Sequence, residues 1–283
     1  MKKILGRFIV FFIVFPIILW IVVFLPQKNY AVWNILIVVF SVLAAVEFRN
    51  ILANKKLIIS VPEAAVLGAI YPAAWTLVIC FGLPNKIILY ALAGGAAWIL
   101  ISRIFSNGEK LNSCIEKITA GLSIMIYPGF FTAWIIQMTL FPHSNMVVLM
   151  FLLITLMNDA IAWATGMLFG KNNRGHVAAS PNKSIAGFIG GLFASALMGV
   201  LAVVFIPGAF SSTVMPSIPA SIILGLGTGI AAILGDLCES AIKRSAGVKD
   251  SGTLMLGRGG ALDSIDSLLL AAPVFYLLYQ ALF

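Results

Sequence analysis

Asp236, Glu239, Asp250, Asp263 and Asp266, half of the chain's ten acidic residues, crowd into one stretch from Gly235 to Ser267. Lys243, Arg244, Lys249 and Arg258 are interleaved with them. Asp236 and Glu239 are three residues apart and Lys243 lies four further on, so a continuing helix presents all three on one face. Asp263 and Asp266 repeat the three-residue spacing where the last apolar segment begins. Two helix ends, each with a carboxylate pair, would then flank a basic loop. Carboxylates with open positions suit Mg²⁺, which is usually held by few protein ligands together with substrate phosphates. Basic groups beside a metal are what phosphoryl transfer requires, because charge must be neutralised as the bond breaks. Gly257, Gly259 and Gly260 surround Arg258 and permit close backbone approach or positive φ. The plainer alternative is unrelated helix-end charges in water, with the basic residues only marking topology.

Asp159 lies within an apolar segment, T-L-M-N-D-A-I-A-W-A-T-G. A carboxylate at that depth costs roughly 2.5–3.5 kcal/mol on insertion scales unless it meets a cavity or a partner. It either lines a functional site or makes a helix–helix hydrogen bond. A second polar segment, Gly170 to Ser184, ends in Ser180-Pro181-Asn182-Lys183-Ser184 before a helix expected from Ile185. That start offers N–H groups and Lys183 to an anion, or is simply an N-cap and a turn. His143 and His176 read as ordinary loop residues. Gly225-Leu226-Gly227-Thr228-Gly229 has the wrong spacing for a dinucleotide loop. Gly225 and Gly229, like Gly187 and Gly191, read as small-residue helix contacts. Cys80, Cys114 and Cys238 show no disulfide or metal-thiolate spacing.

The elements that must carry these groups are apolar. The chain is 61% hydrophobic and 10% charged, with a mean hydropathy of +1.07, far from the roughly one-quarter charged of soluble domains. Runs long enough to cross a bilayer recur along its length, without the short alternating segments of a barrel. The class is all-α, a polytopic membrane protein. About nine spans are expected: Phe8–Leu25, Val32–Phe48, Val61–Gly82, Ile87–Phe105, Ile118–Phe141, Met146–Phe169, Ile185–Ile206, Ile218–Ile242 and Leu262–Phe283. The first is too long for a signal h-region and lacks a small-x-small cleavage site, so it reads as a retained helix. With the N-terminus cytoplasmic, alternation places 16 of the 18 Lys and Arg residues inside and only Lys28 and Lys86 outside, as the positive-inside rule demands. The net charge of +8 therefore marks topology and does not point to nucleic acid. The Gly235–Ser267 stretch would face the cytoplasm. The chain reads as one membrane domain, residues 1–145 as scaffold helices without mid-helix charge and 146–283 as the working half.

These motifs resemble the phosphatidate cytidylyltransferase (CDP-diacylglycerol synthase) family. Its S-x-x-K-R-x4-K-D-x-G pattern is matched by Ser240, Lys243, Arg244, Lys249, Asp250 and Gly252. Its P-G-H-G-G-x-x-D-R-x-D pattern is matched by Gly257, Gly259, Gly260, Asp263 and Asp266. Gly235-Asp236-Leu237 with Glu239-Ser240 is similar to G-D-L-x-E-S. The Asp159 segment through Gly170-Lys171, and Ser180 to Ser184 with Gly187, Gly190 and Gly191, are similar to the upstream motif. The resemblance is specific over about residues 155–270.

The resemblance implies a membrane-bound, Mg²⁺-dependent transfer from CTP to phosphatidate, giving CDP-diacylglycerol and pyrophosphate. A second cation, monovalent or divalent, is left open, and a homodimer in the inner membrane is implied. Phosphatidate brings its own phosphate oxygen as nucleophile, so no protein nucleophile is needed. Asp236 and Asp263 would be the principal metal ligands, with Glu239, Asp250 and Asp266 as secondary ligands or orienting groups. Lys243, Arg244, Lys249, Lys183 and Arg258 would contact phosphates; Ser180 and Ser240 would join the substrate site, and Asp159 would line the cavity. Three positions depart from the pattern: Leu256 stands for proline, Arg258 for histidine and Ser264 for arginine. Arg258 is expected to supply charge lost at position 264. A cation-coupled transporter using Asp159, Asp236 and Asp263 is the alternative from another class. A relative acting on another lipid phosphate or a lipid alcohol is the nearer one.

Overall fold

A computed structural model describes residues 15–104, 112–210, 218–253 and 259–283. All its long elements are helices: α1 (Phe15–Phe24), α2 (Gln27–Ala53), α3 (Val61–Phe81), α4 (Lys86–Ile104), α5 (Cys114–Leu140), α6 (Ser144–Phe169), α7 (Ile185–Phe205), α8 (Ile218–Ser245) and α9 (Leu262–Leu282). Among the described residues, α2 to α9 are each long and apolar enough to cross a bilayer. They match eight of the nine expected spans to within a few residues. Of the first expected span, Phe15–Phe24 is helical, and its earlier residues lie outside the described ones. So do Leu256, Gly257 and Arg258.

Local chemistry sets the helix ends. Ser60 caps α3 by accepting the Glu63 N–H at 3.2 Å, and Pro62 sits in the first turn, where its missing N–H costs nothing. Gly82 closes α3 in the left-handed conformation (φ +67°), returning its N–H to Val78 O. Ser184 caps α7 through the Gly187 N–H at 3.0 Å. Pro128 interrupts α5, which passes through a π turn at Met125–Phe130.

The chain folds into two compact units, residues 1–137 with 245–264, and residues 138–244 with 265–283. In the first, α2, α3 and α5 meet through small residues. The Ser41 hydroxyl donates toward Gly68 O (2.7 Å) and Pro128 O (2.9 Å) and accepts from Thr132 (3.1 Å). The π turn thus finds a partner for one of its carbonyls on a neighbouring helix. A Cβ on Gly68 would fall 2.4 Å from the Ala45 Cβ, so α2 and α3 approach at backbone distance. Ala44 and Ala45 are fully buried there.

In the second unit, α6, α7 and α8 pack by the same device. A Cβ on Gly187 would lie 2.8 Å from Ala162 O, and one on Gly191 3.1 Å from Asn158 O. On α8, Gly225 would meet Ser195 O at 2.3 Å and Gly229 the Ser195 Oγ at 2.5 Å. The expected small-residue contacts at all four glycines are present. Asn158, fully buried, ties the three helices by donating to Ser195 Oγ (2.8 Å) and toward Gly229 O (3.5 Å). Large apolar side chains such as Trp163, Phe193 and Phe205 point outward, as expected of helices whose outer faces meet lipid. This makes the chain a multi-pass membrane protein.

Gly225→Ala places a methyl group against a backbone carbonyl that cannot swing aside, and should cost about 1–3 kcal/mol. Gly94→Ala is the control, because nothing lies within 4 Å of its added Cβ. Thermal unfolding in detergent should show a lowered midpoint for the first and an unchanged or raised one for the second.

Candidate active site

The polar groups form one assembly in each unit. In the second unit the assembly is built on α8. That helix runs unbroken to Ser245, so Asp236, Glu239 and Lys243 share a face as their spacing demands. Gly235 sets its depth. A Cβ there would lie 2.5 Å from Asp266 O and 3.3 Å from the Ser267 Cα, so the α8 backbone touches α9 where α9 carries its carboxylate. The Asp266 side chain is within electrostatic reach of Asp236, Glu239 and Asp159. Four carboxylates therefore converge from α6, α8 and α9.

Each acid has identifiable partners. Lys183, from the α6–α7 connection, pairs with Asp236 at 2.5 Å, both side chains being half-buried. Its ammonium also lies 6.0 Å from the Phe188 ring centroid. Ser240 donates toward Asp236 Oδ1 at 3.4 Å. Glu239, with 0% exposure, pairs with Lys243 one turn on, and Lys243 is itself only 9% exposed. Asp159 and Asp266 converge on one hydroxyl, with Ser267 Oγ 3.0 Å from Asp159 Oδ2 and 3.2 Å from Asp266 Oδ1. The Ser267 N–H also donates to Asp266 Oδ1 at 2.6 Å. One hydroxyl proton can serve only one of two carboxylates at a time.

The α6–α7 connection is held as a compact hairpin. Ile185 N–H returns to Asn173 O (3.1 Å) and Gly175 N–H to Pro181 O (3.0 Å). Ser180 O accepts the Lys183 N–H at 3.1 Å, so Ser180 closes the turn that presents Lys183. Ser184 is the N-cap of α7, and the Lys183 ammonium is paired with the Asp236 carboxylate. The pairing also requires the α6–α7 connection and the C-terminal end of α8 to share one membrane face, as the alternation of basic residues does.

The first unit holds the other assembly, which contains Asp263. Its Oδ2 accepts from Ser251 N (2.9 Å) and Gly260 N (2.7 Å). Gly259 has φ +106°, a conformation few other residues adopt. Ser264, at the position where the motif carries arginine, donates to Gly260 O at 3.0 Å. Lys249 and Asp250 are exposed, as is Arg244 in the other unit. Arg258 lies outside the described residues.

Glu47 carries no functional signal in the sequence. It is an acid close to the end of a predicted span, and such residues ordinarily sit in water. Here it is 8% exposed, and its carboxylate accepts from Ser251 Oγ (3.0 Å), Ala261 N (2.9 Å) and Leu262 N (2.9 Å). Two of the three donors are backbone groups, which leave no mark in sequence.

Whether these residues fit Mg²⁺ can be judged from their donor chemistry. Among the described residues, no three His, Cys, Asp or Glu side chains form a ready metal-holding group. Asp266 nevertheless has the hard oxygen donors Asp236 and Asp159 within electrostatic reach, and it shares a single hydroxyl with Asp159. Mg²⁺ suits such donors and is usually held by one or two carboxylates plus substrate phosphates. The set fits a metal that arrives with its nucleotide better than a resident ion in a closed protein cage.

Comparison with known proteins agrees with the motifs. Residues 5–282 match the Cytidylyltransferase family. A phosphatidate cytidylyltransferase of Thermotoga maritima is 33% identical over 219 residues, 77% of each chain. One from Haemophilus influenzae is 40% identical over 142 residues, 49% of this chain and 47% of the relative. One from Staphylococcus aureus is 40% identical over 126 residues, 44% of this chain and 46% of the relative.

The buried Glu239–Lys243 pair permits a test independent of catalysis. Removing one partner strands a buried charge, at a cost of about 3–5 kcal/mol, whereas replacing both with apolar residues is often near neutral. Glu239→Leu should therefore lower the thermal midpoint sharply. Adding Lys243→Met should restore much of the loss.

Proposed function

The chain belongs to the cytidylyltransferase family, an enzyme family, and we propose that it joins CTP to phosphatidate, giving CDP-diacylglycerol and pyrophosphate with Mg²⁺. The observation that carries the reading is the Lys183–Asp236 pair beside the Asp159 and Asp266 carboxylates, at the end of helices whose outer faces are apolar. Such a site can meet a charged headgroup while the acyl chains stay in lipid. A phosphate oxygen of phosphatidate attacks the α-phosphorus of CTP, and the bond to the β-phosphate bridging oxygen breaks. No protein nucleophile is required. Family membership also removes the transporter alternative.

The roles follow from chemistry. Bound Mg²⁺ would supply charge neutralisation at the phosphates. Asp236 and Asp266 would hold it, with Asp159 restrained beside them by Ser267. Lys183 is the cation best placed to exchange its Asp236 partner for a nucleotide phosphate, because its turn is hydrogen-bonded through the backbone while its side chain is only half-buried. Exposed Arg244 and Lys249 would attract the anionic substrates, and the motif gives Arg258 the same role. The motif gives Asp263 the role of a principal metal ligand; its Oδ2 already accepts from Ser251 N and Gly260 N, so that role would fall to its remaining lone pairs. Lys243, buried against Glu239, would set the local charge of α8 more than bind phosphate. The reading places the chemistry at the cytoplasmic leaflet of the inner membrane, where CTP is available, and takes the protein as a homodimer.

Purified protein in lipid micelles, given Mg²⁺, each nucleoside triphosphate in turn and several lipid phosphates, should form a nucleotide-linked lipid and pyrophosphate from CTP and phosphatidate. No such lipid from any pair would end the reading, and a different preferred acceptor would redirect it. Asp236→Asn should lower turnover at least about 100-fold. Lys183→Ala should weaken CTP use roughly 10- to 100-fold, the equivalent of one charge-assisted hydrogen bond.

A further inference from the structure

We infer that Glu47 is a positioning residue: its buried carboxylate on α2 fixes the backbone around Ser251 and Gly260–Leu262, and through Ser251 it orients Asp263. Asp263 is the residue whose catalytic role rests on the reading above; the placement of the backbone does not depend on it.

Glu47 sits two residues beyond Ala45, which the close α2–α3 contact anchors. Its Oε1 accepts from Ala261 N, and its Oε2 from Leu262 N and Ser251 Oγ. Ala261 and Leu262 stand at the start of α9, where N–H groups have no partner within the helix and the helix dipole favours an anion. Glu47 is therefore a helix cap supplied from more than two hundred residues earlier in the chain. Burying a carboxylate is costly unless it is hydrogen-bonded, and three donors meet that requirement here.

Ser251 links this cap to Asp263. Its hydroxyl donates to Glu47 Oε2 and accepts from Asp263 N at 3.2 Å, while its own N–H donates to Asp263 Oδ2. Glu47, Ser251 and Asp263 thus form one hydrogen-bonded chain. Two glycines take on a role the sequence did not suggest. A Cβ on Gly252 would lie 2.5 Å from Glu47 Oε1, and one on Gly260 2.1 Å from Oε2. At these positions the missing side chain makes room for Glu47. Outer groups that hold a functional carboxylate in place are typically worth 10- to 100-fold in activity or metal affinity.

The decisive variant is Glu47→Gln. It keeps the shape but turns one acceptor into a donor, which must then face the N–H of Ala261 or Leu262. Amide hydrogen exchange, read by mass spectrometry on the full protein in nanodiscs, should quicken in peptides covering Ser251–Thr253 and Gly259–Ile265. Peptides from α6 should exchange as in the wild type. kcat should fall about 10- to 100-fold, with the KM for phosphatidate little changed, because ground-state binding of the lipid is left alone. Ser251→Ala, which keeps the carboxylate, should give a smaller shift of the same kind, and the double variant should be no worse than Glu47→Gln alone. Should Glu47→Gln fail to accumulate, Ser251→Ala carries the same readouts. Unchanged exchange in those peptides, or faster exchange throughout the protein, would overturn the inference. A wild-type protein inactive on every substrate would sink the functional reading instead, and the exchange result would still decide where Glu47 acts.

Discussion

A charge inside a chain this apolar must be met by a partner, and that constraint shapes both polar assemblies. Low-dielectric surroundings make an unpaired carboxylate expensive and a satisfied one rigid. Glu239 is met by an ammonium one turn away on its own helix. Asp236 is met by an ammonium from a separate connection. Glu47 is met by backbone N–H groups and a hydroxyl, and Asp159 and Asp266 share a hydroxyl. The differences matter for chemistry. The Glu239–Lys243 pair is buried along one helix, whereas Asp236 and Lys183 come from separate elements and are half-buried.

Such pairings require helices to approach more closely than large side chains allow. Gly235 brings the α8 backbone against α9, and the carboxylates of the two helices meet there. Gly225 and Gly229 do the same for α8 against α7, and Gly68 for α3 against α2. Lipid chains are as apolar as leucine, so packing and hydrogen bonds, more than water exclusion, hold these helices together. The same glycines and serines therefore serve stability and place the charged groups. A bulky residue at Gly235 would separate Asp236 from Asp266 before it broke any bond.

The spans were legible because twenty apolar residues in a row have one structural solution in lipid. The shared face of Asp236, Glu239 and Lys243 was legible because it depends only on helical spacing. The pairing of Lys183 with Asp236 was not, because nothing local says which acid a loop lysine will reach. Spacing put Glu239 and Lys243 on one face but did not say that they would be buried there as a pair. Glu47 was invisible for a deeper reason. Its donors are mostly backbone amides far along the chain, and an acid near a helix end looks like any solvated one.

Gly252 and Gly260 show how the two kinds of signal can be confused. In a phosphate-binding protein, glycines beside basic residues suggest a loop that lets the backbone approach a phosphate. Here the nearest atoms to their absent side chains belong to Glu47, so the close approach is already filled by an internal carboxylate. The two accounts are compatible if the internal anion orders the backbone and leaves the neighbouring cations for the external one. Gly259 fits that division, since its positive φ carries the chain past the Asp263 carboxylate.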